Sequence, residues 1–524
     1  MRPRLLAATV TLPLVAAALV ASSTAAVAAR PAPDVTLTPL GTYATGAFDE
    51  GASEITAYDP DTHRVFVVNA EAGTVDILDI SDPTSPQKVG QLDTPGANSV
   101  AVHDGLVAVA EQAQESTDPG TVAFFDAATD AVLGRVEVGA LPDMVTFTPN
   151  GNFAVVANEG EPQGYCEGDV DPEGSVSIID LRRGVPAATA RTAGFTAFDA
   201  DELRAQGVRI YGPGASAAQD LEPEYVTVST NSHTAWVSLQ EANAIATVDI
   251  RSATVTDVAA LGLKDHSLAA NALDPSDGDG GITIGTWPVK GLYQPDAIAS
   301  YAVRGQHYVV TANEGDTRDY GCYNEEARVR SLALDPVVFP NAAALKANSA
   351  LGRLTVSRTS PAGQAGVTEL HVPGARSISV RDSAGALVWD SGDALERLVA
   401  ERDPALFNAN NDETDSADSR SDNKGPEPEG VDLGRLQGRT YAFVGLERVS
   451  AIAVVDVTDP ANGRVAGYAS NRDESGDAEA GTAGDLGPEG ILFIPAGDSP
   501  TGRPLLVVGN EVSGTTTVWG VALA

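Results

Sequence analysis

"PEGVDLGRLQGRTYAFVGLERVSAIAVVDV", residues 428–457, holds three strands in thirty residues. An acid follows a proline. A short alternating run then reaches a Gly turn, an apolar run ends at Glu447, and a third run ends at Asp456. Alternation bounded by turn residues predicts hairpin-linked strands. The same order recurs at 53–80, 98–127, 142–181, 223–250, 295–329 and 488–521. Seven such units predict an all-β fold, a seven-bladed β-propeller.

A fourth, outer strand follows the first unit in "PQKVGQLDT" (86–94), whereas nothing equivalent follows Val521. The segment "VTLTPLGTYAT" (35–45) is therefore expected to complete the last blade, closing the ring and removing an exposed edge. Insertions near 185–220, 263–291 and 330–424 break the period within a propeller expected over 35–524. Short helices are expected at "DADELRAQG" (199–207) and at 394–401, with a hairpin at 375–392 and an acidic loop at 408–424.

The 524 residues carry 33 Lys+Arg against 72 Asp+Glu, a formal charge of −39. That balance opposes nucleic acid and anionic lipid, whose recognition needs cationic contacts. Arg2 and Arg4, an apolar stretch and "AVA" at 26–28 predict a secretory signal over 1–28. No later segment is long and apolar enough for a membrane helix, and "TTTVWGVALA" has no anchor pattern. A secreted, freely soluble protein, expected to be a monomer, follows. Its extracellular ligand or surface is not identified by the sequence.

The acids have a pattern. In a blade, the start of the first strand and the end of the second lie on one face. First-strand starts carry Glu54, Asn98, Asp143, Glu224, Asp296, Glu429 and Glu489; second-strand ends carry Glu71, Glu111, Glu159, Glu241, Glu314, Glu447 and Glu511. The proline that precedes five of these, from Asp143 to Glu489, fixes the backbone on entry to the strand. Two readings stay open for these rings. Carboxylates can latch backbone N–H groups of the next blade. Alternatively, so many like charges near one axis require relief by a cation. Oxygen-only donors favour Ca²⁺, or Mg²⁺, with Glu159, Glu224, Asp296, Glu314, Glu429, Glu489 and Glu511 as the candidate ligands. Lys290, Arg318 and Lys424, with Arg209 nearby in sequence to the fourth unit, are candidates for holding a phosphate or ligand there, or for pairing with the acids.

The two cysteines, Cys166 and Cys322, occupy long loops at matching offsets in the third and fifth units. In an exported chain they are expected to form a disulfide. "DPSDGDGG" (274–281) lacks EF-hand spacing and reads as a solvated acidic turn. There is no Gly-X-Ser-X-Gly turn, P-loop or His-rich metal motif. Four histidines (His63, His103, His233, His307) fall in the first hairpins, on the face opposite the acids.

"RIYGPGASAAQDLEPEYV", "WPVKGLYQPDAIA", "TANEGDTRDYGC", "SDNKGPEPEGV", "GDLGPEG" and "GNEVSGTTTVW" together resemble the choice-of-anchor I domain family. That family is related to mesenchyme-specific cell surface glycoproteins. The resemblance implies a YVTN/WD40-like propeller outside the cell. Members often carry a C-terminal anchor, from which this sequence departs. The resemblance supplies no catalytic residue set, although some relatives are labelled alkaline phosphatase. The expected function is a non-catalytic, Ca²⁺-binding surface or ligand binder. The alternative is a metal-dependent phosphoester hydrolase of the alkaline phosphatase or phytase type.

Overall fold

A computed structural model describes residues 33–524; the expected leader at 1–28 lies outside the described residues. Seven sheets among these residues are four-stranded, with antiparallel neighbours throughout. Their first strands are Thr56–Asp59, Ala97–His103, Pro142–Phe147, Val226–Val228, Ile298–Val303, Pro428–Leu436 and Pro488–Ile494. Each of these strands packs against the first strand of the next sheet, and Pro488–Ile494 packs against Thr56–Asp59. The fold is all-β and propeller-like.

The second and third strands are apolar along their length because both faces are covered. Arg64–Asn69 and Thr74–Asp79 are almost wholly buried. A buried cluster lies between each pair of consecutive sheets. Phe66, Val68 and Ile77 meet Val107, Val109 and Phe125 between the first and second. Between the seventh and first sheets, Ile494, Leu505, Val507 and Val518 meet Val65, Val67, Leu78 and Ile80. The strand Val35–Ala44 pairs with Thr515–Leu523 and gives the seventh sheet its outer strand, as the sequence predicts. Val35 and Leu37 there bury against Tyr441, Phe443 and Trp519.

Two sheets differ from expectation. The hairpin of Ser377–Asp382 and Leu387–Asp390, read as part of the 330–424 insertion, is the outer half of the fifth sheet. Asn313 pairs with Ser377, so the intervening residues leave the sheet between its second and third strands and then return. Likewise Thr189–Gly194, placed within the 185–220 insertion, is the outer strand of the third sheet. The expected helices are present at Ala200–Gln206 and Ala394–Arg402. The first is capped by Asp199, whose carboxylate accepts from the N–H groups of Asp201 and Glu202. Residues of the 263–291 insertion pack with the excursion of the fifth sheet around a separate core that includes Leu273, Val289, Phe339 and Leu354. In "DPSDGDGG", Asp274 is fully buried and accepts from the Ser276 and Thr283 N–H groups, so it is not the solvated residue expected.

Candidate functional site

The repeated Pro-acid step has a defined backbone. Gly96, Leu141, Glu222, Gln294, Glu427 and Gly487 adopt positive φ, and each stands two residues ahead of Asn98, Asp143, Glu224, Asp296, Glu429 or Glu489. Gly51, also at positive φ, stands three ahead of Glu54. Pairing then shifts at Ala97/Ser99, Pro142/Met144, Pro428/Val431 and Pro488/Ile491, leaving Asn98, Asp143, Glu429 and Glu489 on bulges. A bulge re-aims a side chain out of the ladder. Here it turns an acid away from the sheet toward the central cavity. Gly430 and Gly490 follow two of these acids because the next chain is too close for a side chain. A Cβ at Gly430 would lie 1.9 Å from the Glu489 carbonyl oxygen, and one at Gly490 2.3 Å from that of Glu54.

A left-handed non-glycine costs about 1–2 kcal/mol, and three of the four are held by buried polar contacts. Glu222 accepts from Arg318 Nε at 3.1 Å. Gln294 donates to the Asp316 carbonyl at 2.6 Å and accepts from Gly374 N–H at 3.2 Å. Glu427, with no exposed surface, accepts from Arg420 Nη2 at 2.6 Å and pairs with Lys424 Nζ at 3.0 Å and Arg448 Nε at 3.3 Å.

The acids meet in a cavity of about 370 Å³. Six of the seven candidate ligands line it: Glu159, Glu224, Asp296, Glu314, Glu429 and Glu489. Glu511 does not, although its charge acts on Glu54, Glu429 and Glu489. Carboxylate oxygens of Asp296, Glu314 and Glu429 all lie within 4.8 Å of one another, and so do those of Glu314, Glu427 and Glu447. Glu224, Glu429 and Glu489 each present an Oε2 atom with no solvent surface and no hydrogen-bond partner.

Burial and mutual repulsion disfavour ionisation of Glu54, Asp143, Asp296, Glu429 and Glu489. Burial, then Glu511 and Asp143, push the Glu54 carboxyl up to about 8. Burial and Glu161 push Asp143 up to about 7. Burial raises Asp296, Glu429 and Glu489 well above the carboxylate range; the next cause is Glu314 for Asp296, Glu447 for Glu429 and Glu54 for Glu489. Glu427 moves the other way. Burial alone would raise it, but Lys424, Arg420 and Arg448 bring it down to about 2.

The second ring is less regular than the sequence suggests. Strand pairing aligns Asn69, Glu111, Asn158, Leu239, Asn313, Leu446 and Asn510 as the last paired residues of the second strands. The next position holds Ala70, Gln112, Glu159, Gln240, Glu314, Glu447 and Glu511. Glu71, Glu111 and Glu241 are thus one residue out of register with the other four. Glu71 is exposed, and Glu111 pairs with Arg135 Nε at 3.0 Å. Glu314 accepts from the Gln240 side chain at 3.0 Å and Glu447 from that of Asn411 at 2.9 Å. A carboxylate that does latch neighbouring sheets is Asp432, whose Oδ2 accepts from Phe493 N–H at 2.7 Å.

Of the cationic candidates, Lys424 lines the cavity. Lys290 does not; its Nζ lies 2.6 Å from Asp265. Arg318 is 2% exposed and is clamped by Asp220 and Glu222. Arg209 pairs with Glu325, and both guanidinium groups stack on Tyr211, at 4.1 and 4.6 Å. Arg448 and Asp316, which also line the cavity, carry no sequence signal. Cys166 and Cys322 form the expected disulfide, with Cα atoms 5.3 Å apart. Beside it Tyr165 packs edge-on against Tyr320 and Tyr323, and the Tyr320 hydroxyl donates to Glu161. Among the described residues, no histidine lines the cavity.

An all-carboxylate donor set with unpartnered oxygens suits a hard cation taking oxygen ligands. Comparison with known proteins adds the relatives. A mesenchyme-specific cell surface glycoprotein of Strongylocentrotus purpuratus is 32% identical over 279 residues, 46% of this chain and 35% of its own length. Gigasin-3a of Magallana gigas is 33% identical over 183 residues, 33% of this chain and 64% of its own. The chain therefore aligns with about a third of the first and just under two thirds of the second. Among solved structures, Kuenenia stuttgartiensis hydrazine synthase aligns over 92% of this chain and 100% of its own, with a TM-score of 0.46 and 14% identity. A streptogramin B lyase aligns over 93% and 98%, with a TM-score of 0.45 and 8% identity. The choice-of-anchor I domain model matches residues 54–460. This all-β, propeller-like chain belongs to the choice-of-anchor I domain family.

Proposed function

We propose that the protein is an exported, seven-bladed propeller that binds Ca²⁺ at the mouth of its central cavity and presents that face to an extracellular ligand or surface without catalysis. The observation that carries the reading is the meeting of Asp296, Glu314 and Glu429 within 4.8 Å, beside carboxylate oxygens that have no partner. Like charges so placed need a counter-cation to ionise together. The seven four-stranded sheets, their inter-sheet cores and the pairing of Val35–Ala44 with the last sheet support a closed ring of seven blades. The disulfide suits an oxidising exterior, and the named glycoprotein relative is a cell surface protein.

Isothermal titration of the purified protein with CaCl₂ tests this. Saturable heat and a raised melting temperature are expected, both lost in Asp296→Asn. Absence of heat and of a melting shift in the unsubstituted protein rejects the reading.

The phosphoester hydrolase reading draws less support. Arg318 and Lys290 are engaged away from the cavity, and the remaining cations, Lys424 and Arg448, are held by glutamates. Turnover of p-nitrophenyl phosphate that depends on Ca²⁺ and on Glu429 would favour it instead.

A further inference from the structure

The two carboxylate triads share Glu314 but differ in what surrounds them. Glu427 and Glu447 sit among cations. Lys424 Nζ is 2.6 Å from Glu314 Oε1, 2.6 Å from the Gly315 carbonyl and 3.0 Å from Glu427. Arg448 Nε is 3.3 Å from Glu427 and 3.2 Å from Glu447, and Arg420 Nη2 is 2.6 Å from Glu427. Glu427, Glu447 and Glu314 are 0%, 3% and 8% exposed, so these charges meet out of water. Among the described residues, no ammonium or guanidinium pairs with Asp296 or Glu429, and Glu429 Oε2 is buried without a partner. The five carboxylates of the two triads face three cationic side chains. With all five ionised, two charges would lack a paired cation, and Asp296 and Glu429 are the two carboxylates without one.

We infer that Lys424 is a tethered counter-cation that fills the Glu314–Glu427–Glu447 triad, so that these two triads take one divalent cation, at Asp296–Glu314–Glu429. Lys424 touches Glu314 and Glu427 together, so it is a tethered charge within the triad and not a phosphate contact. This inference rests on the cation reading above and adds the number of ions and the residue that sets it.

The test is titration with CaCl₂ alone on three proteins, each first checked for cooperative melting. The unsubstituted chain is expected to bind one Ca²⁺ in this cluster. Lys424→Met opens the second triad and is expected to bind two. Glu447→Gln removes a charge that acts on Glu429 but no ligand of the proposed ion, and is expected to bind one ion with affinity changed less than tenfold. A folded Lys424→Met protein that still binds one ion, or none, overturns the inference. So does a tenfold or greater loss in Glu447→Gln, which decides the matter alone should Lys424→Met not fold. No binding by the unsubstituted chain would instead remove the cation reading itself.

Discussion

Replacing Asp143 with asparagine should make the calcium-free protein more stable. Asp143 stands on a bulge in the cavity wall, and among the described residues no protein group donates a hydrogen bond to its carboxylate. Burial, followed by Glu161, raises its pKa from 3.8 to about 7. The folded protein therefore holds this proton more tightly than the unfolded chain. Stability from this group is fully present below pH ~4 and is lost as pH rises to about 7. Three units at about 1.4 kcal/mol each would be about 4 kcal/mol. Neighbouring acids readjust when one charge is removed, so about half of that, roughly 2 kcal/mol, is expected as the gain. For a chain of this size the unfolding entropy is about 1 kcal/mol/K, which makes the shift about 2 °C. Differential scanning calorimetry in EGTA at pH 4.5 and pH 8 reads it. The gain should be small at pH 4.5 and full at pH 8, and Ca²⁺ should reduce it. An Asp143→Asn protein that melts lower at pH 8, or gains equally at both pH values, refutes the claim that repulsion among buried carboxylates strains this site.

Other outcomes follow from the same geometry. Arg318→Met leaves Asp220 and Glu222 buried without their cation; a loss of about 3–5 kcal/mol in chemical denaturation is expected. Cys166→Ala with Cys322→Ala removes a cross-link spanning 156 residues. A loss of about 3–5 kcal/mol is expected, and adding reductant to the unsubstituted protein should give a similar loss. Asp296→Asn should abolish the heat of Ca²⁺ binding while leaving far-ultraviolet circular dichroism unchanged, and Lys424→Met should double the ions bound.

Much of the architecture is legible in the sequence because each unit repeats the same local instructions. A Pro-acid step opens the first strands at Asp143, Glu224, Asp296, Glu429 and Glu489, and an apolar run ending in Asn-Glu closes the second strands at Glu159, Glu314 and Glu511. What escapes is set by pairing at a distance. Nothing local to Ser377 says that it hydrogen-bonds beside Asn313, since the intervening residues fold on their own core. Glu71, Glu111 and Glu241 are placed one residue out because register belongs to the facing strand and not to the strand being read. The cations mislead for a related reason. Lys290 is close in sequence to Asp296, yet a short strand aims it at Asp265. Glu427 and Gln294 look like loop residues, but their positive φ before a proline is what delivers the next acid to the cavity. A polar residue directly ahead of Pro-acid was the available signal.

The seventh sheet contains strands from both ends of the described chain, and the Ala524 N–H donates to the Asp34 carbonyl at 2.8 Å. The strand Val35–Ala44 thus has no partner in this sheet until Thr515–Leu523 is synthesised. Completion of the sheet must come after Thr515–Leu523 leaves the ribosome or translocation pore, as a step of long loop closure. A chain held back before that moment keeps a sticky border open, and its rate of aggregation should report how long the join takes.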